Sequence, residues 1–122
     1  MSGFEVEVET QYIEKESDSS LPRYVFAYTI TISNHGETVG QLLNRQWTIT
    51  DAQGDVQEVT GPGVVGKQPH IEPGMAFRYT SACVLATPVG SMQGEYEFQR
   101  DDGNLFVVPI PVFSLSVPNL VH

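Results

Sequence analysis

Cysteine is nearly absent from this chain of 122 residues, which has a single thiol at Cys83. One cysteine cannot form an internal disulfide, so the chain fits a reducing compartment. A domain of this length buries roughly two-thirds of its unfolded surface and needs no disulfide to fold. We therefore expect one domain over residues 1–122, with Cys83 as a buried core residue.

Positive charge is also scarce, since 6 Lys and Arg residues face 15 Asp and Glu residues, for a formal net charge of −9. The six basic residues are scattered along the chain. Neutralising a nucleic-acid backbone requires several clustered bases, so the composition argues against nucleic-acid binding and against anionic membranes. The excess negative charge favours solubility.

Long apolar runs are missing as well. No stretch approaches the roughly 20 apolar residues that cross a bilayer, so we expect no membrane insertion. The first residues show neither the charged region nor the apolar region of a signal peptide. The sequence therefore predicts a cytoplasmic protein.

Helical periodicity is the last notable absence, and strict alternation takes its place. Tyr24 to Ile32 puts Tyr24, Phe26, Tyr28, Ile30 and Ile32 on one face of a strand. With 11 glycines and 8 prolines between such segments, the pattern predicts an all-β, antiparallel two-sheet sandwich of seven or eight strands. The predicted strands are Phe4–Glu9, Tyr24–Ile32, Leu42–Asp51, Val56–Thr60, Phe77–Leu85, Gly94–Arg100, Leu105–Val108 and Phe113–Val117.

Two details of this sandwich can be predicted from single strands. Leu43, Trp47 and Ile49 have the spacing of one strand face, and Trp47 is expected to fill the core between the sheets. Pro109 and Pro111 lack N–H donors, so they either end regular pairing or lie on an edge strand.

The most unusual segment is the Gly- and Pro-rich connection from Gly61 to Gly74, which is too interrupted for a helix. Residues 61–66 match G-x-G-x-x-G, whose backbone amides approach a pyrophosphate in dinucleotide-binding folds. No helix follows, so both a loop that needs positive φ angles and an anion-binding turn fit the pattern. The candidate ligand-binding residues are Gly61, Gly63, Val64, Val65, Gly66, Lys67, Gln68, Pro69 and Arg78, with Lys67 and Arg78 as counter-charges.

Catalytic and metal-binding patterns are not apparent. Cys83 lies between apolar residues with no base suggested nearby. His35, His70 and His122 stand apart in the sequence, without the spacing of metal ligands. Of the three, His70 is the one worth testing, because it lies beside the glycine-rich segment. We expect no enzymatic activity, no cofactor and no bound metal.

The acidic residues Glu5, Glu7 and Glu9 alternate along the first strand. They form either a solvated face that discourages edge-to-edge pairing or a weak Co²⁺ or Mg²⁺ site. No turn follows that could wrap an ion in oxygen ligands, so the solvated face is favoured.

A combination of motifs spreads over most of the chain: Gly61 to Gly74, Phe77 to Cys83, Leu85, Thr87-Pro88, Gly90 to Gly94, Tyr96, Asp102-Gly103, Phe106, Ile110-Pro111, Phe113 and the Arg45 to Ile49 strand. In this combination the sequence resembles the bacterial ApaG family. One departure is Pro62, where the family commonly has a polar or acidic residue.

The resemblance implies a fibronectin type III- or immunoglobulin-like sandwich, which agrees with the strand pattern. It also implies a link to Co²⁺/Mg²⁺ efflux, which a domain without a spanning segment would influence only indirectly. The first functional hypothesis is a protein-interaction module with an unidentified protein partner. The second is a binding protein for a phosphate-containing small molecule, pyrophosphate or a dinucleoside polyphosphate, at the Gly61–Gly66 loop.

Overall fold

Alternating apolar side chains organise the chain into strands, as the sequence predicts. The computed structural model describes residues 3–118, and its helical content is one 3-10 turn at Glu14–Glu16. The predicted all-β fold class is confirmed. The strands are β1 (Phe4–Tyr12), β2 (Tyr24–Asn34), β3 (Gly40–Asp51), β4 (Val56–Pro62), β5 (His70–Ile71), β6 (Ala76–Leu85), β7 (Val89–Arg100) and β8 (Leu105–Ser116).

The strands form two antiparallel sheets that face each other. One has three strands in the order β1-β2-β6, and the other has the order β4-β3-β7-β8 with the short β5 paired to β3. The two-sheet sandwich predicted from the sequence is therefore confirmed, with eight strands. No helix in the described part of the chain is long and apolar enough to cross a membrane.

The core lies between the sheets and is centred on aromatic side chains. The ring of Trp47 makes edge-to-face contacts with Tyr28, Tyr96 and Phe113 at centroid distances of 5.4, 6.4 and 5.9 Å. Trp47 thus fills the inter-sheet space, as predicted. Cys83 is buried in the same cluster, and burial raises the pKa of its thiol to about 11, so the thiol stays protonated at neutral pH.

The predicted inward face of β3 is wrong at one position. Leu42 is completely buried while Leu43 is only half-buried. The register between β3 and β7 shifts between Leu42 and Asn44, so Leu43 is the extra residue of a β-bulge. A bulge changes which residues share a face, and it moves Leu42 onto the face of Trp47.

The prolines near the C-terminus do not end β8. The strand continues through Pro109 and Pro111 to Ser116 and is an edge strand of its sheet, so the predicted edge position is confirmed and the separate strand Phe113–Val117 is wrong. A register shift opposite residues 92–94 of β7 accommodates the interruption.

Strands also enter segments that were expected to be turns. The strand predicted at Gly94–Arg100 begins earlier, because β7 starts at Val89. The long connection from Gly61 to Gly74 contains the end of β4 and all of β5. The irregular part is thereby reduced to two short segments on either side of β5.

Candidate functional site

The glycine-rich segment is fastened to the β3 bulge. The carbonyl of Leu43 accepts hydrogen bonds from the Gly63 N–H (2.7 Å) and from Gln68 Nε2 (2.9 Å). The next residue along the segment, Pro69, accepts a bond from the Leu42 N–H at 3.0 Å. The bulge turns a backbone carbonyl toward the loop, and that carbonyl fixes both of its ends.

Between these attachments the chain makes a tight two-residue turn. The N–H of Val64 donates to the carbonyl of Lys67 at 2.8 Å, and the N–H of Lys67 donates back to Val64 at 2.9 Å. The two central residues, Val65 and Gly66, have φ angles of 44° and 78°. Positive φ at both positions is the mark of a type I′ turn, in which Asn-Gly and Gly-Gly are the favoured pairs.

Val65 is an unusual residue for this position. The left-handed region costs an L-residue about 1–2 kcal/mol, and a β-branched side chain adapts to it poorly. Packing does not explain the choice, because the Val65 side chain is 53% exposed whereas that of Val64 is 1% exposed. Val64 anchors the turn in the core, and Val65 is held outward in a strained conformation.

Arg45 braces the same turn from β3. Its Nη1 donates to the carbonyls of Pro62 and Gly63, both at 2.9 Å. Arg45 pairs with Gly61 in the sheet register, and the absence of a side chain at Gly61 leaves room for the guanidinium. Gly61 and Pro62 therefore belong to the strand that supports the turn.

The backbone amides of the G-x-G-x-x-G residues are largely used within the protein. The N–H groups of Gly63, Val64 and Lys67 all donate to carbonyl oxygens of the chain. In the part of the chain described, the turn leaves the N–H groups of Val65 and Gly66 without a hydrogen-bond acceptor. Two amides form a smaller anion cradle than the motif suggested.

The structure does not bring all the predicted site residues together. Lys67 is exposed at the end of the turn. Arg78 lies on the outer face of the three-stranded sheet, where its Nη2 is 3.5 Å from Glu9 and its Nη1 is 3.4 Å from Thr31. Arg78 pairs with Thr31 in the sheet register and is not part of the turn. The cation that contacts the turn from a strand is Arg45.

A cavity of about 220 Å³ opens beneath the turn, between the two sheets. On β6, Tyr79 and Ser81 share the inner face, and Arg45 and Trp47 do so on β3. The Tyr79 hydroxyl is 2.6 Å from that of Tyr96. The lining residues are Tyr28, Arg45, Trp47, Val64, Val65, Gly66, Tyr79 and Ser81.

The tyrosines of this region are neutral at physiological pH. Burial raises the pKa of Tyr28, and the hydrogen bond with Ser81 only partly opposes it. Burial likewise raises the pKa of Tyr79 and Tyr96. The cavity wall therefore presents hydroxyl groups and one guanidinium.

The alternating glutamates of β1 face solvent. Glu5 lies 3.6 Å from His35 Nε2 and Glu9 lies 3.5 Å from Arg78, so two of the three carboxylates adjoin basic side chains. Across residues 3–118, no group of three His, Cys, Asp or Glu side chains is placed to hold a metal ion. His70 is exposed in β5, and His122 lies outside the described residues.

Sequence reasoning missed the residues that give this site its chemistry. Arg45, Tyr79 and Ser81 lie on ordinary strands of different sheets and come together only because the two sheets stack face to face. One signal was available: Gly61 faces Arg45 only if the hairpin between β3 and β4 continues past Thr60. The turn residues themselves were correctly located by the glycine pattern.

Comparison with known proteins identifies the family. A family model described as the ApaG domain matches residues 14–100. Protein ApaG of Acidithiobacillus ferrooxidans is 52% identical over 118 residues, covering 97% of this chain and 93% of that protein. Protein ApaG of Ralstonia nicotianae is 51% identical over 124 residues, with 100% of both chains covered.

A solved structure agrees with these relatives. The structure described as an ApaA protein of Bordetella pertussis superposes with a TM-score of 0.93 at 46% identity, covering 96% of this chain and 95% of that one. The names of the two curated relatives state no enzymatic reaction. The resemblance drawn from the glycine-rich segment and the surrounding strands is confirmed, and this chain belongs to the ApaG family.

Proposed function

We propose that this chain is a non-enzymatic protein-interaction module that contacts its partner through the Val64–Lys67 turn. The observation that carries the proposal is Val65, which combines a φ of 44° with 53% exposure. Strain of this kind persists where the surrounding structure enforces it and is concentrated at functional positions. An exposed apolar side chain at the tip of a hydrogen-bonded turn is well placed to contact a partner protein.

The rigidity of the turn supports this role. Two groups of β3 hold it: Arg45 donates to the carbonyls of Pro62 and Gly63, and the Leu43 carbonyl accepts from Gly63 and Gln68. A loop held by a rigid scaffold binds without first losing conformational freedom, which favours affinity. The buried side chain of Val64 packs in the core and holds the turn beneath the exposed side chain of Val65.

An effect on Co²⁺ or Mg²⁺ tolerance would pass through that partner in this proposal. The carboxylates of β1 are exposed, and two of them are already beside basic groups. Divalent cations prefer several oxygen ligands converging on one point. Binding of the partner, with the cation handled by the partner, therefore fits the surface better than direct coordination by β1.

The proposal is tested by comparing wild type with Val65→Asn as immobilised baits in native cell lysate. Asn keeps the turn because it accepts positive φ, but it removes the apolar contact. We expect at least one protein to be retained by wild type and depleted about tenfold or more on the Val65→Asn bait, as for loss of a central contact residue. Quantitative mass spectrometry of the bound fraction is the measurement.

Val56→Asn is the matched control. Val56 is also an exposed valine, at 60% exposure, but lies at the start of β4 away from the turn. The control bait should retain the same proteins as wild type. Equal recovery on all three baits, or no protein above background on wild type, would contradict the proposal.

A further inference from the structure

Within residues 3–118, Arg45 carries a charge that has no anionic partner. Its side chain is half-buried, and no carboxylate in the described ranges lies within 4.0 Å of its guanidinium. Among the described residues, the guanidinium donates through Nη1 alone, to the carbonyls of Pro62 and Gly63. The guanidinium has five N–H donors, so several remain for another acceptor.

The hydroxyl pair of Tyr79 and Tyr96 supplies a second donor that lacks an acceptor. Tyr96 is completely buried, and its hydroxyl has Tyr79 as its partner at 2.6 Å. A buried O–H needs an acceptor, so the Tyr96 proton is directed to the Tyr79 oxygen. The Tyr79 proton is then free, and Tyr79 is the member of the pair that lines the cavity.

These donors converge on one space from opposite sheets. Arg45 approaches from β3, while Tyr79 and Ser81 approach from β6. The amides of Val65 and Gly66 lie at its edge. Within the described residues, several N–H groups of Arg45 and the O–H of Tyr79 have no acceptor, whereas the Ser81 hydroxyl is hydrogen-bonded to Tyr28 and would rotate toward a ligand. Donors of this kind, one of them positively charged, match an oxyanion.

We propose that the cavity beneath the turn binds a single phosphate group, held by Arg45 together with the hydroxyls of Tyr79 and Ser81. The inference goes beyond the protein-interaction role and does not depend on it. Donors that arrive from two sheets suit a tetrahedral group, whereas a planar carboxylate is satisfied by the arginine fork alone. Arg45 here takes the place that sequence reasoning gave to Lys67 and Arg78.

The size of the cavity restricts the ligand. A volume of about 220 Å³ holds roughly seven water molecules at about 30 Å³ each. Inorganic phosphate or the terminal phosphate of a small organic ester fits this space. A dinucleoside polyphosphate fits less well, because each of its phosphates is joined to further groups on both sides and the chain would have to leave the cavity twice.

Titration of the full chain with inorganic phosphate at constant ionic strength tests the proposal, with amide chemical shifts as the readout. We expect saturable shifts at Val65, Gly66 and Ser81. Arg45→Gln should weaken binding about tenfold or more and Ser81→Ala about threefold, as for loss of a charged and a neutral hydrogen bond. Arg78→Gln, which removes a cation on the outer sheet face, should change the affinity less than about twofold.

Two further measurements identify the ligand and control for misfolding of the Arg45→Gln variant. Acetate should bind more weakly than phosphate, and a phosphate monoester should compete with inorganic phosphate for the same residues. Ser81→Ala leaves the turn contacts of Arg45 in place, so weaker binding by this variant supports the site even if Arg45→Gln disturbs the turn.

Three results would overturn the proposal: an equal loss of affinity in Arg78→Gln and Arg45→Gln, acetate binding as tight as phosphate binding, or the absence of saturable shifts. None of these outcomes bears on retention of a protein by the Val65 turn.

Discussion

Gly94→Ala is expected to destabilise the protein by about 3 kcal/mol, at the upper end for overpacking a core. Gly94 pairs with Trp47 where β7 crosses the middle of the five-stranded sheet. A Cβ at this position would collide with the carbonyl oxygen of Gln46 and lie 3.1 Å from the Trp47 Cα. Both neighbours are backbone atoms of a central strand, so they cannot move aside without breaking the sheet.

Urea unfolding followed by Trp47 fluorescence measures the effect. With a slope of about 1–3 kcal/mol per molar urea, the midpoint should fall by about 1 M or more. The control is Gln93→Ala, the exposed preceding residue on β7, which should stay within about 0.5 kcal/mol of wild type. If Gly94→Ala unfolds at the wild-type midpoint, the close pairing of β3 with β7 is not as described.

Gly63→Ala is expected to cost about 2–3 kcal/mol, the second-largest effect. Gly63 has a φ of 62°, and an added Cβ would collide with the carbonyl oxygen of Lys67. That oxygen accepts the Val64 N–H bond that closes the turn. The substitution thus combines the left-handed penalty of about 1–2 kcal/mol with the loss of a hydrogen bond of about 1 kcal/mol.

Hydrogen exchange locates this effect as well as measuring it. In Gly63→Ala the amides of Val64 and Lys67 should lose their protection from exchange. The protection of the β2 amides should fall only by the amount that corresponds to the lower global stability. Gly66→Ala is the control, since its φ is 78° but an added Cβ meets nothing within 4 Å. Its cost should be about 1 kcal/mol smaller. Equal costs for the two variants would show that the Gly63 contact with Lys67 is unimportant.

The fold could be predicted because strand alternation is a local property of the sequence. Residues such as Tyr28, Ile30 and Ile32 lie two apart and are all buried. The error at Leu43 arose because a bulge is a relation between two strands. The sequence of β3 alone does not show that Leu43 has no partner on β7.

The site could be predicted only in part for the same reason. Glycines at positive φ are visible as a sequence pattern, so the turn from Val64 to Lys67 was located. The side chains around it were not, because Arg45 and Tyr79 are far apart in the chain and meet through sheet pairing and the stacking of the two sheets. Arg78 was chosen for its nearness in sequence, but alternation along β6 points it to the opposite face from Tyr79.

The stability of Val65→Asn tests most directly whether the turn holds a strained residue for a purpose other than folding. Asn tolerates positive φ and forms with Gly66 the Asn-Gly pair preferred in type I′ turns. Relief of the strain at Val65 should raise the free energy of unfolding by about 1 kcal/mol. Urea unfolding of Val65→Asn beside wild type should therefore show a higher midpoint with an unchanged slope. An unchanged or lower midpoint would mean that Val65 is not strained, and it would remove the physical basis for a binding role at this turn.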